Sequence, residues 1–187
     1  MKILLFNEDS RVISDRQNAT HQQLSKDLES LGHTVTSIST SEGAFHGCTG
    51  CWSCWLKTPG ECAVKDDQVP FIKKFLKSDL VIMLSPVRKG FISAQLKKSI
   101  DRLIPLSLPF FEIKEGQFTH KNRYDKLPDM ALLLEFETDL DKENDAIISN
   151  WINRFCWHLD TKCHVVSDIN LQPVSEIIKE IYSTVIS

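Results

Sequence analysis

Five short apolar runs constrain this chain more than any other feature: residues 3–6, 35–38 (the weakest, broken by Thr36 and Ser37), 80–84, 130–134 and 165–166 with their flanks. Strands of a parallel sheet are covered on both faces, so they read as continuous apolar runs rather than as an alternation. Between the runs, apolar residues recur at helical spacing, first as Leu24, Leu28 and Leu31, then as Val69, Ile72, Phe75 and Leu76. Ile92, Leu96, Ile100 and Leu103 repeat the pattern, as do Ile147, Ile148, Trp151, Ile152, Phe155 and Leu159. Pro173 opens a last helix whose face is Val174, Ile177, Ile178, Ile181, Tyr182 and Val185. Strand and helix thus alternate five times, the signature of an α/β chain with a parallel sheet.

Right-handed crossovers restrict the topology, and five strands predict a three-layer, flavodoxin-like sandwich with a five-stranded parallel sheet of order 2-1-3-4-5. A six-strand dinucleotide fold is the runner-up. The first turn, residues 7–19, has no glycine, so it carries neither the dinucleotide fingerprint nor a P-loop. The 187 residues suit one domain, 1–187, without internal repeats. Residues 105–128, with Pro105, Pro109, Gly116 and Pro128, are expected to be an insertion serving as a lid or an interface.

A net charge of −3 supplies no basic stripe for phosphates along a duplex, which argues against nucleic acid. No run approaches the roughly 20 apolar residues of a membrane span. The apolar start, Ile3-Leu4-Leu5-Phe6, is too short for a secretory signal, so a cytoplasmic protein is expected. In that reducing compartment the six cysteines point to metal or redox chemistry rather than to disulfides.

Ligands of an open parallel sheet sit beyond the carboxyl ends of the strands, where strand order reverses. Here that places them near residues 7–19 and 85–92, with the loop after strand 2 as neighbour. The first segment offers Ser10, Arg11, Ser14, Arg16, Asn18 and Thr20 ahead of a helix, a set suited to a phosphate and equally to ordinary helix capping. The loop after strand 2 is the most specific feature: Cys48, Cys51, Cys54 and Cys62, spaced C-x2-C-x2-C-x7-C, place four thiols within fifteen residues. That set can wrap an iron–sulfur centre or a tetrathiolate zinc, or can remain free thiols packed under Trp52 and Trp55.

The stretch 48–67, CTGCWSCWLKTPGECAVKDD, is followed by Ser85-Pro86-Val87, by Ser93-Ala94-Gln95-Leu96-Lys97 and by Asp101-Arg102. In this order the motifs resemble the flavodoxin-like NAD(P)H-dependent FMN reductases and iron–sulfur flavoproteins, over roughly residues 1–104. The resemblance implies noncovalent FMN at the carboxyl edge of the sheet, NAD(P)H as donor, a small-molecule or protein acceptor, and a homodimer or homotetramer. It would place Ser10, Arg11, Asn18 and Thr20 on the FMN phosphate, and the backbone of Ser85, Pro86, Val87, Arg88, Lys89 and Gly90 along the isoalloxazine ring. Within that resemblance Cys48, Cys51, Cys54 and Cys62 are the candidate metal ligands, either holding a 4Fe–4S cluster as a one-electron relay or standing as a vestige of one. Arg88 stands where the family carries an aromatic. Asn7-Glu8-Asp9 replaces a glycine-containing turn, and the loop after strand 4, 135–144, is acidic and lacks glycine.

No side chain is needed as general acid or base, so no catalytic residue is assigned. The expected function is an FMN-dependent oxidoreductase passing electrons from NAD(P)H through flavin to an acceptor. The alternative is a flavodoxin-fold protein with a degenerate flavin site, acting as a metal-binding or interaction module. Asp66 and Asp67 read as caps of the helix that follows, and Asp101-Arg102 as a helix end with a structural ion pair. Cys156, His158, Cys163 and His164 read as packing thiols with surface imidazoles. His120, Arg123, Tyr124 and Asp125 fall in the insertion.

Overall fold

The computed structural model describes residues 1–7, 14–40, 44–136 and 142–185. Its elements are β1 Lys2–Asn7, α1 Asp15–Ser30, β2 Thr34–Ser39, α2 Ser53–Leu56, α3 Gln68–Phe75, β3 Leu80–Arg88 and β4 Phe91–Ile92. They continue with α4 Ala94–Asp101, a 3-10 turn at Ile104–Leu106, β5 Ser107–Lys114, β6 Gln117–Asn122, β7 Asp129–Phe136, α5 Lys142–His158, β8 Cys163–Asp168 and α6 Val174–Val185.

The main sheet runs β2-β1-β3-β7-β8, all parallel, which is the expected 2-1-3-4-5 order. Each central strand sends alternate residues to opposite faces, and both faces are apolar. Leu4 and Phe6 of β1, Val81 and Met83 of β3, and Met130, Leu132 and Leu134 of β7 pack under α3, α4 and α5. Ile3 and Leu5, Leu80, Ile82 and Leu84, and Ala131 and Leu133 pack under α1 and α6. At about 1.5–3 kcal/mol for each fully buried large side chain, these two layers dominate the stability of the sheet. β2 is the outer strand, and it is correspondingly more exposed.

β3 is longer than the apolar run 80–84 suggests. It continues through Pro86 to Arg88 and returns as β4, pairing Val87 with Ile92 and Arg88 with Phe91. Pro86 is tolerated because β1 pairs with β3 only as far as Met83, leaving a free side for a residue without an N–H. The two-residue turn Lys89-Gly90 has positive φ at both positions, 54° and 77°, as a hairpin of matching twist requires. A β-carbon on Gly90 would lie 2.9 Å from Oδ1 of Asn144, so α5 packs directly onto this turn.

The insertion folds as a second, antiparallel sheet of β5 and β6, closed by the turn Glu115-Gly116. It leaves Phe110, Phe111, Ile113 and Phe118 exposed. Among the described residues no helix is long and apolar enough to cross a membrane.

Candidate functional site

The carboxyl ends of β1, β2 and β3 form one rim. Asn7 closes β1 and is buried, its Oδ1 accepting from Nε2 of Gln17 at 2.8 Å. Ser14 caps α1 by accepting from Gln17 N at 3.0 Å, and its hydroxyl donates to Glu135 at the end of β7. Arg16 donates through Nε and Nη2 to the carbonyl of Ile169, at 3.0 and 2.7 Å, so it anchors the segment after β8. Asn18 and Thr20 lie within α1; Asn18 is half-buried and Thr20 is buried on the helix face that also carries Gln17, Leu24 and Leu28. Ser10 and Arg11 lie outside the described residues, as do 137–141 of the acidic loop after β7.

Ser85 is buried, its hydroxyl donating to Pro86 O at 2.9 Å and accepting from Ser93 N at 3.0 Å. Ser93 in turn caps α4 by accepting from Leu96 N. Ser85 therefore locks the strand end to the start of α4. Pro86 and Val87 are buried and aligned with Glu135 and Phe136 of β7, Arg88 is exposed, and Gly90 sits in the β3–β4 turn. Two buried polar atoms near this rim, Gln17 Oε1 and Thr40 Oγ1, have no partner among the described residues. Register aligns Asn7, which holds Gln17, with Ser39, the residue before Thr40.

The four-cysteine loop rises from the same end of the sheet, after β2. Its neck is zipped. Ala44 N donates to Asp67 Oδ2 at 2.7 Å, Asp67 N returns a bond to Ala44 O at 3.2 Å, and His46 N donates to Asp66 Oδ2 at 3.0 Å. Arg102, the residue that ends α4, lies beneath the neck at 2% exposure. Its Nη1 donates to Asp66 and to His46 O, and its Nη2 to Val64 O at 3.1 Å and to Cys62 Sγ at 3.2 Å. Asp66 therefore does more than cap α3. One oxygen accepts from Gln68 N, while the other joins the ion pair. Burial alone would raise this carboxyl, but bonds from Arg102 and from the backbone and ring of His46 outweigh it and bring the pKa to about 2. Asp101, by contrast, pairs with Lys97 on its own helix.

Cys48, Cys51, Cys54, Cys62 and Arg102 line one hollow. The thiols differ. Cys51 is exposed, and hydrogen bonds from Ser53 and Thr49 lower it to about 7, so a large share is thiolate at neutral pH. Cys54 is pushed up by burial and then by the neighbouring charges of Cys62, Cys48 and Cys51. Four sulfurs thus lie within electrostatic reach of one another and repel when ionised. Among the described residues, no three His, Cys, Asp or Glu side chains converge on a point that would hold a single metal ion.

Trp52 adopts a left-handed φ of 57° at the start of α2, which lets its ring stack on Trp55 at 4.9 Å. Trp55 donates its Nε1 to Ser107 O at 2.9 Å and packs on His120 of the hairpin, 4.8 Å between ring centroids. The tryptophans thus fasten the thiol loop to the insertion. Sequence reasoning had no local signal for this contact, because its partners lie more than fifty residues apart.

The other cysteine group is separate. Cys156 is buried on α5 with Sγ 3.7 Å from Met130 Sδ, and Cys163 opens β8. His158 bonds Thr119 at 2.8 Å and His164 bonds Asp129 at 2.8 Å, so both imidazoles serve the packing of neighbouring elements.

Residues 1–122 match the family model described as NADPH-dependent FMN reductase. Over 80 residues the chain is 39% identical to an iron–sulfur flavoprotein of Archaeoglobus fulgidus, covering 43% of this chain and 36% of that one. An iron–sulfur flavoprotein of Methanocaldococcus jannaschii is 40% identical over 73 residues, 39% of this chain and 37% of the other. The match thus spans little more than a third of these relatives. Among solved structures, an NAD(P)H:quinone oxidoreductase from Methanothermobacter marburgensis superposes with a TM-score of 0.68 at 12% identity, covering 98% and 94% of the two chains. An FMN-dependent NADH-azoreductase from Bacillus anthracis, solved in complex with FMN, gives 0.59 at 13% identity, covering 99% and 96%. At such identities the likeness establishes the flavodoxin-like fold. With the family model covering residues 1–122 of 187, the chain belongs to the NADPH-dependent FMN reductase family.

Proposed function

We propose that this protein is an FMN-dependent oxidoreductase that takes electrons from NAD(P)H and delivers them, by way of the four-cysteine loop, to a small-molecule or protein acceptor. The observation that carries the reading is a hollow lined by four thiols in the loop that leaves the carboxyl end of the sheet, in a chain of the FMN reductase family. Bound there, FMN would supply the exchange between two-electron and one-electron chemistry, and a 4Fe–4S cluster would supply one-electron transfer.

The chain's own residues fit both groups. Near the rim, the Thr40 hydroxyl and the Gln17 amide oxygen, which have no partner among the described residues, would serve as a donor for a phosphate or polyol oxygen and as an acceptor for a polyol hydroxyl. Ser10, Arg11, Asn18 and Thr20 are assigned to the phosphate side. Ser85, Pro86, Val87, Arg88 and Gly90 are assigned to the ring side, where the exposed Arg88 guanidinium offers a flat cation for stacking or for a phosphate. Ser85 holds that edge rigid by tying it to Ser93. In the loop, Cys48, Cys51, Cys54 and Cys62 supply four soft sulfur donors. Cys54 is raised by burial first and by mutual repulsion second, and a cationic iron core among the four sulfurs would relieve the repulsion. The names of the curated relatives favour iron–sulfur over zinc.

The same reading treats residues 1–187 as one domain in a cytoplasmic protein, with the exposed apolar face of the hairpin buried in a homodimer or homotetramer. Anaerobic purification followed by ultraviolet–visible spectroscopy and iron and sulfide analysis tests it. The expected result is a flavin band, retained or restored by added FMN, over a broad brown absorbance that Cys51→Ser removes. A protein that neither carries nor titrates with FMN overturns the oxidoreductase assignment. Iron without flavin returns the alternative of a metal-binding module.

A further inference from the structure

We propose that Arg102 is the positioning residue of the four-cysteine loop, and that its N–H···S bond makes Cys62 the electrostatically distinct ligand and raises the reduction potential of the centre bound there. This rests on the reading of the loop as an iron–sulfur site.

The argument starts from what a buried guanidinium requires. At 2% exposure Arg102 has given up nearly all its water, which costs several kcal/mol unless charge and hydrogen bonds are restored by the protein. Asp66 restores the charge. Three further N–H groups are directed at His46 O, Val64 O and Cys62 Sγ, and Nε has no partner among the described residues. A neutral thiol is a weak acceptor, whereas a thiolate or a metal-bound sulfur is a strong one. Aiming a scarce buried donor at Cys62 Sγ, 3.2 Å away, is therefore well matched only to a sulfur that carries negative charge.

Placement supports the same assignment. The carbonyl of His46 precedes Cys48 by two residues, and Cys62 and Val64 lie at the far end of the loop. One side chain, rooted at the end of α4, thus grips both limbs of the loop and fixes the hollow before any metal arrives. Among the described residues Arg102 bonds no sulfur but that of Cys62, so the centre is polarised toward Cys62. Reduction adds one electron and no proton to the centre, and a nearby cation with an N–H···S bond favours the more negative form.

The test compares wild type, Arg102→Gln, Arg102→Lys and Asp66→Asn, each purified anaerobically as the full chain and reconstituted with iron and sulfide. Iron and acid-labile sulfide are counted, and the midpoint potential is read by dye-mediated dithionite titration followed by electron paramagnetic resonance. Arg102→Gln is expected to lower the equilibrium constant for one-electron reduction about tenfold, a shift of about 59 mV. Arg102→Lys keeps the charge without the fork and is expected to fall between. Asp66→Asn removes the countercharge and is expected to move the potential the opposite way. That sign reversal is not produced by mere loosening of the loop, and it keeps the proposal testable should Arg102→Gln fail to fold. Potentials equal to wild type in the substituted proteins, or a shift of the same sign in Asp66→Asn, overturn it while leaving the iron–sulfur reading intact. A wild-type chain that binds FMN and takes up no iron overturns both.

Discussion

The two cysteine groups of this molecule show how differently one side chain behaves in two settings. In the loop, Cys51 is exposed and accepts bonds from Ser53 and Thr49, which hold its thiol at about 7. Under α5, Cys156 is 1% exposed, and the adjacent Cys163 together with burial pushes its thiol far above the ordinary range. Its sulfur lies 3.7 Å from the thioether of Met130. The first setting prepares a nucleophile and metal ligand, the second a small hydrophobe. Hydrogen-bond donors and access to water decide between them.

Alkylation of the metal-free protein at pH 7 breaks or sustains this contrast most directly. Cys51 is expected to react about a thousandfold faster than Cys156, which must wait for local opening and is protonated throughout. Mass spectrometry of timed digests reads the ratio, and comparable rates would dissolve the distinction.

Acid separates the regions by another route. The folded-state pKa of Asp66 lies below its ordinary value of 3.8, at about 2, so its pair with Arg102 contributes stability that is complete above about pH 4. That contribution, roughly 2 kcal/mol, is lost as pH falls toward 2. Asp129, next to the buried group, is also lowered, through bonds from Thr161 and His164 that outweigh its burial. Urea unfolding between pH 5 and pH 2 is expected to show Asp66→Asn with a shallower loss of stability than wild type. Parallel curves would remove Asp66 from the acid response.

Cys156→Ser sharpens the packing side of the comparison. A hydroxyl facing Met130 has a poor partner, and the expected loss is about 1–2 kcal/mol in urea unfolding at pH 7. The same change at exposed Cys51 is expected to leave metal-free stability within about 0.5 kcal/mol.

The parts legible in the sequence are those governed by local periodicity. The five strands, their order and the helices between them follow from runs such as 80–84 and from the spacing of Leu24 and Leu28. The four-thiol spacing likewise singled out the hollow. What escaped were hairpins and distant partners. Lys89-Gly90 gives little hairpin signal in the sequence because lysine is an unusual occupant of a positive-φ turn position. In the insertion, the run Phe110–Lys121 contains two strands around Glu115-Gly116, and its polar residues conceal them because one face remains open to solvent. Asp66 and Asp67 read locally as helix caps; the N-cap Asp67 instead accepts from Ala44 N, and Asp66 accepts from Gln68 N at the start of α3. Its larger role depends on Arg102, thirty-six residues away, which no window of neighbouring residues contains.

The smallest expected effect isolates the hydrogen bonds of the exposed thiol. Ser53→Ala removes one donor to Cys51 and leaves the α2 backbone bonds from Lys57 N and Thr58 N to residue 53 in place. The remaining Thr49 and backbone bonds still favour the thiolate, so the pKa rises only part of the way toward its ordinary value. With the ionised share at pH 7 reduced, alkylation of metal-free Cys51 is expected to slow about three- to fivefold, consistent with about 1 kcal/mol for a single bond to a charged acceptor. At pH 10 both proteins are fully ionised, and the difference should nearly vanish. A rate deficit that persists at pH 10 would mean that Ser53 acts by shaping access to the sulfur rather than by stabilising its charge, and the contrast with Cys156 would then rest on exposure alone.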